Sequence, residues 1–184
     1  MPKLRKLNIS GCEIAGSDAL KELAGAPRLQ SLTVSGPPVT DEAVKQLSRS
    51  KSLQTLCLYH TGVTDAVFGE LADCPNLRSL DLTHASITGE GLKKMARSKN
   101  LVELKLRNTK VSDEALGHVA NLPNLRLLDL GHTAITDHGL EKLAASGSLT
   151  DLRLDRTNVT NDGSRNSSTL PVSKYLTMAS SSAF

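Results

Sequence analysis

The feature that most constrains this chain is a sequence pattern that recurs at a nearly fixed interval. The segment Leu-x-x-Leu-x-aliphatic occurs seven times, with a first interval of 25 residues and five further intervals of 24. The seven copies start at Leu4, Leu29, Leu53, Leu77, Leu101, Leu125 and Leu149. An Ile or Val follows each copy, and in the first six units an apolar pair then comes with its members three positions apart. Self-similarity of this kind indicates a repeat architecture, in which each unit contacts mainly its neighbours in the chain.

One unit combines the patterns of a short strand and a short helix. The alternation in Leu-x-Leu gives a strand one apolar face, and an apolar pair such as Leu92 and Met95 gives a helix one apolar stripe. A Thr-Asp or similar pair before the helix can accept the first backbone N–H groups of that helix. Phe68 and Cys74 occupy apolar positions of the pattern and are predicted to lie in the core. Because neither element can bury its apolar side alone, the units are expected to stack over residues 1–160.

The pattern resembles that of the leucine-rich-repeat family over about residues 2–160. Its 24-residue form is similar to the cysteine-containing branch known from F-box-type substrate receptors, although only the first repeat has Cys at the position that defines this branch. The seven residues at that position are Cys12, Pro37, Thr61, Ala85, Thr109, Thr133 and Thr157. The resemblance implies an α/β fold, a right-handed and curved solenoid with a parallel β-sheet on the concave face and short helices on the convex face.

The same resemblance implies a function. It points to a protein-protein interaction scaffold that presents a rigid concave face to a protein partner and has no catalytic activity. One alternative stays open, a fragment of a ubiquitin-ligase-type substrate receptor or of another larger regulatory leucine-rich-repeat protein. That alternative requires further sequence upstream, because no F-box-like helical segment precedes Leu4.

Composition excludes several other classes of protein. The net charge is only +3 and the chain has 2 Phe, 2 Tyr and no Trp, whereas a dedicated nucleic-acid binder needs a clustered basic face and stacking aromatics. No apolar run approaches the length of a membrane span, and the first residues do not form a secretory signal. The cysteines Cys12, Cys57 and Cys74 lack CxxC spacing, so neither a disulfide framework nor a zinc site is indicated. We expect an intracellular monomer without cofactor, membrane or nucleic-acid partner.

The repeat pattern stops at residue 161, where a polar segment replaces the helix of the seventh unit. Seven of the last 24 residues are Ser, and we interpret residues 161–184 as a flexible tail or as a makeshift cap over the last repeat. Neither end of the chain carries an obvious polar capping unit, which solenoids usually need for solubility. That the sequence is a piece of a longer protein is therefore an open alternative.

The strand face offers the predicted binding surface, because side chains 24 residues apart become neighbours there. Asp81, Lys105, Asp129 and Arg153 alternate in charge along one column, which indicates either a charged recognition strip or a self-neutralising ladder between strands. Tyr59 is the only aromatic residue of this face and is a candidate anchor for a partner. The predicted contact patch consists of Cys57, Tyr59, Asp81, Thr83, Lys105, Arg107, Asp129 and Arg153.

Two arrangements deserve a test as chemical sites. His60, His84 and His132 occupy the same repeat position, which indicates either a metal-binding pair or, as we favour, a polar ladder at the strand ends. Cys57 and His60 have the residue types of a nucleophile and its base, but Cys57 faces the sheet surface and His60 lies beyond the strand. The glycines are interpreted as turn and helix-start residues. No phosphate-binding loop, dinucleotide fingerprint or zinc-protease motif is present, and the sequence predicts no enzyme.

Overall fold

The structure is a computed structural model that describes residues 2–11, 16–36, 39–160 and 176–177. The predictions made for Cys12 and Pro37 lie outside the described residues. Those made for the tail also lie outside them, apart from two residues near its end.

One parallel sheet runs the length of the molecule. Its strands are short and follow one another in chain order, β1 to β8, each paired with the next. They are β1 (Lys6–Ile9), β2 (Ser31–Val34), β3 (Thr55–Cys57), β4 (Ser79–Asp81), β5 (Glu103–Lys105), β6 (Leu127–Asp129), β7 (Asp151–Arg153) and β8 (Leu176–Thr177). The register advances by one repeat per strand, so that Leu56 pairs with Leu80 and Leu80 pairs with Leu104. This register confirms that the repeat interval predicts which side chains are neighbours.

The eighth strand continues the phase of the other seven. Leu176 pairs with Leu152 at the same 24-residue offset. The interpretation of residues 161–184 as a tail or cap remains a prediction, because the rest of that segment lies outside the described residues.

The core is one continuous column of apolar side chains between the sheet and the helices. The leucines that begin repeats two to seven are each at most 1% exposed, whereas Leu4 of the first repeat is only partly buried. Within the described residues, β1 pairs with β2 alone, and the apolar side chains of the first unit are less completely covered than those of the later units. Phe68 and Cys74 are 0% and 3% exposed, which confirms their predicted place in the core.

Short helices cover the other side of the core in each unit from the first to the sixth, and the second unit has two of them. The α-helices are α1 (Gly16–Ala24), α2 (Asp41–Lys45), α3 (Ala66–Leu71), α4 (Asp113–Val119) and α5 (Asp137–Leu143), and two 3-10 helices span Gln46–Arg49 and Glu90–Arg97. Phe68 is larger than the Leu or Val of other units, and Gly91 of the next unit makes room beside it. A Cβ atom at Gly91 would lie 2.9 Å from the Phe68 ring and 2.2 Å from the Asp65 carbonyl oxygen. None of the helices in the described residues combines the length and the apolarity that a membrane crossing requires.

The Thr-Asp pairs link successive repeats, in addition to the predicted capping of their own helix, in which the Thr136 hydroxyl accepts from the backbone N–H of His138 at 3.2 Å. The carboxylate of Asp65 accepts hydrogen bonds from the backbone N–H and the hydroxyl of Thr88 in the next unit, at 2.9 and 2.7 Å. Three other junctions repeat this arrangement, namely Asp41 with Thr64, Asp113 with Thr136 and Asp137 with Thr160. The carboxylate satisfies the backbone N–H of the Thr that precedes the helix, whereas a local cap satisfies an N–H group within the first helical turn. Asp therefore acts here as a tie between units.

A second set of ties joins the loops that lead into the strands. The residue before each leading Leu is Ser or Asn at five successive junctions, and its side chain donates to a carbonyl of the preceding unit. These residues are Ser52, Asn76, Asn100, Asn124 and Ser148. We call the side of the sheet where these loops lie the strand-entry edge, and the opposite side, which follows the strands, the strand-exit edge.

Candidate protein-binding face

The eight residues of the predicted contact patch lie together on the concave face of the sheet. Five of them form the central column, in which Cys57, Asp81, Lys105, Asp129 and Arg153 are paired strand to strand. The other three follow the strands β3, β4 and β5, where the chain leaves the sheet at the strand-exit edge. They are Tyr59, Thr83 and Arg107.

Tyr59 is the most exposed apolar group of this face. It is 42% exposed and is the one large hydrophobic residue classed as exposed within the described part of the chain. Its ring meets those of His60 and His84 edge-on, with centroids 5.2 and 5.4 Å away. The two imidazoles stack on each other at 4.9 Å with planes 22° apart. The three rings form a supported aromatic platform, which we call the Tyr59 cluster.

The backbone explains why histidines recur at this position. Every described residue there has a positive φ, in the left-handed region where L-residues are disfavoured and where Gly, Asn and His are over-represented. These residues are Gly11 (73°), Gly36 (117°), His60 (58°), His84 (62°), Asn108 (53°), His132 (57°) and Arg156 (56°). Gly11 and Gly36 are the residues from which this left-handed turn could be predicted in the sequence. The alignment of the repeats does not by itself predict the turn.

The histidine column does not assemble a metal-binding arrangement. Because the rings of His60 and His84 are stacked and nearly parallel, the lone pairs of their nitrogens lie in two separate planes. A metal ion with tetrahedral coordination needs ligand lone pairs that converge on one point. His84 Nδ1 instead contacts the Asn108 amide nitrogen, and His132 lies 3.8 Å from the Asp155 carboxylate. Among the residues that the structure describes, no three His, Cys, Asp or Glu side chains are grouped so that they could hold an ion.

Cys57 is held in its neutral thiol form. It is half-buried on the concave face, and burial together with the nearby carboxylate of Asp81 raises the pKa of its thiol. A thiolate is the reactive form of cysteine, so this environment disfavours nucleophilic chemistry. Within the described residues Cys57 and His60 form no hydrogen bond, and the imidazole contacts Tyr59 and His84 instead.

The charged column is paired, but in a pattern that differs from a simple ladder. Lys105 lies 3.8 Å from Asp81, and Arg153 lies 3.9 Å from Asp129. In the described part of the chain no ion pair joins Lys105 to Asp129. Lys105 turns instead to Glu103 on its own strand, at 3.0 Å.

Glu103 also accepts a hydrogen bond of 2.8 Å from the Ser79 hydroxyl. Burial alone would raise the pKa of Glu103, but the hydrogen bonds from Ser79 and Lys105 outweigh it and lower that pKa. The carboxylate is therefore stabilised in its charged form, and Lys105 is stabilised as its counterion.

Arg107 makes the longest connection of the face by reaching across one whole repeat. Its guanidinium donates two hydrogen bonds to the carboxylate of Asp155, at 2.8 and 2.6 Å. Between them lies Gly131, in the turn after β6, where a Cβ atom would lie 2.1 Å from Arg107 Nη1 and 2.8 Å from Asp155 Oδ1. These hydrogen bonds raise the pKa of Arg107 and lower that of Asp155. Gly131 lies in a turn, as predicted, and its missing side chain also provides the gap that this pair needs.

Asp129 lies beneath this pair and is nearly inaccessible. It is 5% exposed, and its carboxylate accepts a hydrogen bond of 2.9 Å from the backbone N–H of Gly131. Arg107 and Arg153 lie 3.7 and 3.9 Å from its oxygens. Two cations and a backbone donor therefore compensate its buried charge. Of the eight predicted contact residues, Asp129 is the one that supports the surface from below.

The comparisons with known proteins agree with this architecture. The family model described as Leucine Rich repeat matches residues 1–21, 73–96 and 121–144. Internalin C2 of Listeria monocytogenes has 26% sequence identity and a TM-score of 0.63, with 86% of this chain and 64% of that chain covered. A second internalin of the same organism, inlF, has 20% identity and a TM-score of 0.57, with 98% of this chain and 62% of that chain covered.

The chain thus spans less than two thirds of the length of either internalin. No curated protein matches the sequence significantly. The comparisons do not support the proposed likeness to the cysteine-containing, F-box-receptor branch. Sequence repeats, sheet register and solved structures agree on one conclusion, that this chain is built of leucine-rich repeats stacked into a solenoid.

Proposed function

We propose that this protein is a non-catalytic scaffold that binds a protein partner on its concave face, at the patch around Cys57, Tyr59, Asp81, Thr83 and Lys105. Leucine-rich-repeat domains typically bind proteins, and a sheet tied together at every strand presents a surface that loses little conformational entropy on docking. Arg107, Asp129 and Arg153 complete the patch. In the proposal these three residues keep the adjoining surface rigid and charged.

The observation that carries this proposal is the Tyr59 cluster. An aromatic side chain that is 42% exposed and already held by two neighbouring rings can bury apolar area against a partner without first losing rotamer freedom. Its neighbours Cys57 and Thr83 are uncharged, so a partner that covers them does not have to desolvate an ion. Tyr59 is therefore the expected hot spot.

The experiment compares the protein with a Tyr59→Ala variant in capture from lysate of the source cells, followed by affinity measurement with the purified captured protein. A Lys93→Ala variant is the matched control, because Lys93 is exposed on the convex side. All three proteins must first show the same melting curve. Truncation of a hot-spot aromatic is expected to weaken binding by about 2 kcal/mol or more, while the control keeps the affinity of the original protein.

If Tyr59→Ala binds as tightly as the control, the concave patch is not the binding site. The substrate-receptor alternative requires the partner to be delivered to a ligase, and no observation on this chain favours it. The test uses cells that express the protein within its natural reading frame. Recovery of a ubiquitin-ligase subunit together with the captured partner would support the substrate-receptor alternative.

A further inference from the structure

A second surface, on the opposite side of the strands from Tyr59, has the chemistry of a binding groove. It lies at the strand-entry edge beside repeats three to six and has a volume of about 510 Å³. Arg78, Lys99 and Arg126 line it, together with asparagine and glutamine side chains and one apolar residue, Val102. We propose that this basic groove binds an extended acidic segment of a protein partner.

The charge of the groove is not neutralised within the molecule. No Asp or Glu is among the described residues that line it. Arg78, Lys99 and Arg126 are exposed, and across the described ranges none of them has an ion pair or a side-chain hydrogen bond. On the concave face, by contrast, Lys105 and Arg153 each have carboxylate partners. Exposed cations without counterions favour an anionic ligand.

The floor of the groove is prearranged by the ties between repeats. Asn76, Asn100 and Asn124 each donate to a carbonyl of the preceding unit, at 2.7, 2.6 and 2.7 Å. These bonds hold successive loops at a constant offset, and the cations lie one or two positions from these asparagines in the chain. The spacing of the charges is therefore set by the spacing of the strands.

That spacing selects a conformation for the ligand. Arg78 and Arg126 occupy equivalent positions two repeats apart, which places their backbones about 9.6 Å apart at the usual distance between strands. A polyproline II segment returns a side chain to the same direction after three residues and about 9.3 Å, whereas a β-strand does so after about 6.8 Å. Val102 lies between the two arginines and is half-buried, so it can contact the intervening residues. The geometry fits a segment with Glu or Asp at every third position.

A single-stranded nucleic acid is the competing anionic ligand, and the groove lacks what that ligand requires. Proteins that bind single strands stack the bases on aromatic side chains. No aromatic residue is among those described as lining the groove. An acidic peptide needs only the cations and a short apolar contact, both of which are present.

The test uses a fluorescein-labelled peptide of the sequence Glu-Pro-Pro-Glu-Pro-Pro-Glu as the probe and measures its binding by fluorescence anisotropy. A second peptide with the same composition, Pro-Pro-Glu-Glu-Glu-Pro-Pro, tests the spacing. The double variant Arg78→Gln, Arg126→Gln removes the two equivalent cations. Its matched control, Lys93→Gln with Lys110→Gln, removes the same charge from exposed positions away from the groove. Oligothymidylate of similar length is the nucleic-acid probe.

We expect the Arg78, Arg126 variant to bind the first peptide about tenfold or more weakly, because it loses two charge-assisted contacts. The control should change by less than about twofold, since distant charges are screened at physiological salt. The clustered peptide should bind more weakly than the spaced one, and Tyr59→Ala should bind the spaced peptide unchanged. Equal losses in both double variants, equal affinity for both peptides, loss of binding in Tyr59→Ala, or tighter binding of oligothymidylate would each overturn the proposal.

Discussion

The concave face divides into two halves that share a backbone and differ in chemistry. Over β1 to β3 the central column is uncharged, and over β4 to β7 every residue of it is charged. The two columns are Asn8, Thr33 and Cys57 in the first half, and Asp81, Lys105, Asp129 and Arg153 in the second. The second half is already satisfied by its own ion pairs. A repeat therefore fixes where a side chain lies without deciding whether that side chain is free to bind.

The difference has an energetic consequence for a partner. A protein that covers the charged half must desolvate ions that already have their ion-pair partners within the molecule. The free energy of the new contacts seldom exceeds the cost of this desolvation. Covering the Tyr59 cluster buries aromatic and uncharged surface instead. We therefore expect the contact to centre on the Tyr59 cluster and to end at Asp81 and Lys105, while the rest of the charged half acts as a rigid support.

The largest expected effect tests whether the halves share an equivalent core. Leu56 and Leu128 occupy equivalent strand positions in the two halves, and both are 0% exposed. Each substitution, Leu56→Ala and Leu128→Ala, is expected to lower the free energy of unfolding by about 2–5 kcal/mol through lost burial and the remaining cavity. Urea unfolding followed by circular dichroism measures both. Leu7→Ala in the partly buried first repeat should cost less, and a harmless Leu56→Ala or Leu128→Ala would contradict the shared core.

The next effect compares the buried carboxylate of Asp129 with the half-buried carboxylate of Asp81. Asp129→Ala leaves the Gly131 N–H without its acceptor and removes one carboxylate partner from each of two arginines, and we expect a loss of about 2–3 kcal/mol. Asp81→Ala removes the equivalent but more accessible group, and its ion pair with Lys105 is worth about 1 kcal/mol or less. Thermal unfolding of the two variants at one salt concentration compares them. If both variants lose the same free energy of unfolding, the burial of Asp129 does not add to the cost of removing its carboxylate.

A smaller effect follows from the gap at Gly131. The added methyl group of Gly131→Ala would displace Arg107 from Asp155. The folded-state pKa of Asp155 is lowered by this pair, so the pair stabilises the fold above the unfolded pKa of about 3.9, and the stabilisation is lost as pH falls through the folded-state value. Stability of the variant should therefore depend less on pH below about pH 4.

Unfolding measured at several acidic pH values, beside the same series at pH 7, checks this expectation. Arg107→Gln is the companion variant, because it removes the same pair without adding a methyl group. If Gly131→Ala keeps the acid dependence of the original protein while Arg107→Gln loses it, the glycine is not what allows the contact.

The sequence alone is enough to predict the sheet, its register and its core, because each depends on contacts one repeat apart. The interval that pairs Leu56 with Leu80 can be read directly from the spacing. Two features could not be obtained in that way. The bond from Arg107 to Asp155 skips a repeat and depends on a missing side chain between them, and the link from Asp65 to Thr88 serves a neighbouring unit where a local cap was expected.

The smallest expected effect concerns the left-handed turn that both halves share. Arg156 adopts a φ of 56° and is exposed, so Arg156→Gly relieves backbone strain and should raise the free energy of unfolding by about 0.5 kcal/mol after the entropy cost of glycine. His60→Gly relieves the same strain but removes the imidazole that stacks on His84 and meets Tyr59. Its net change should be close to zero. Melting temperatures of both variants test this, and an equal gain in the two would mean that the Tyr59 cluster contributes nothing to stability.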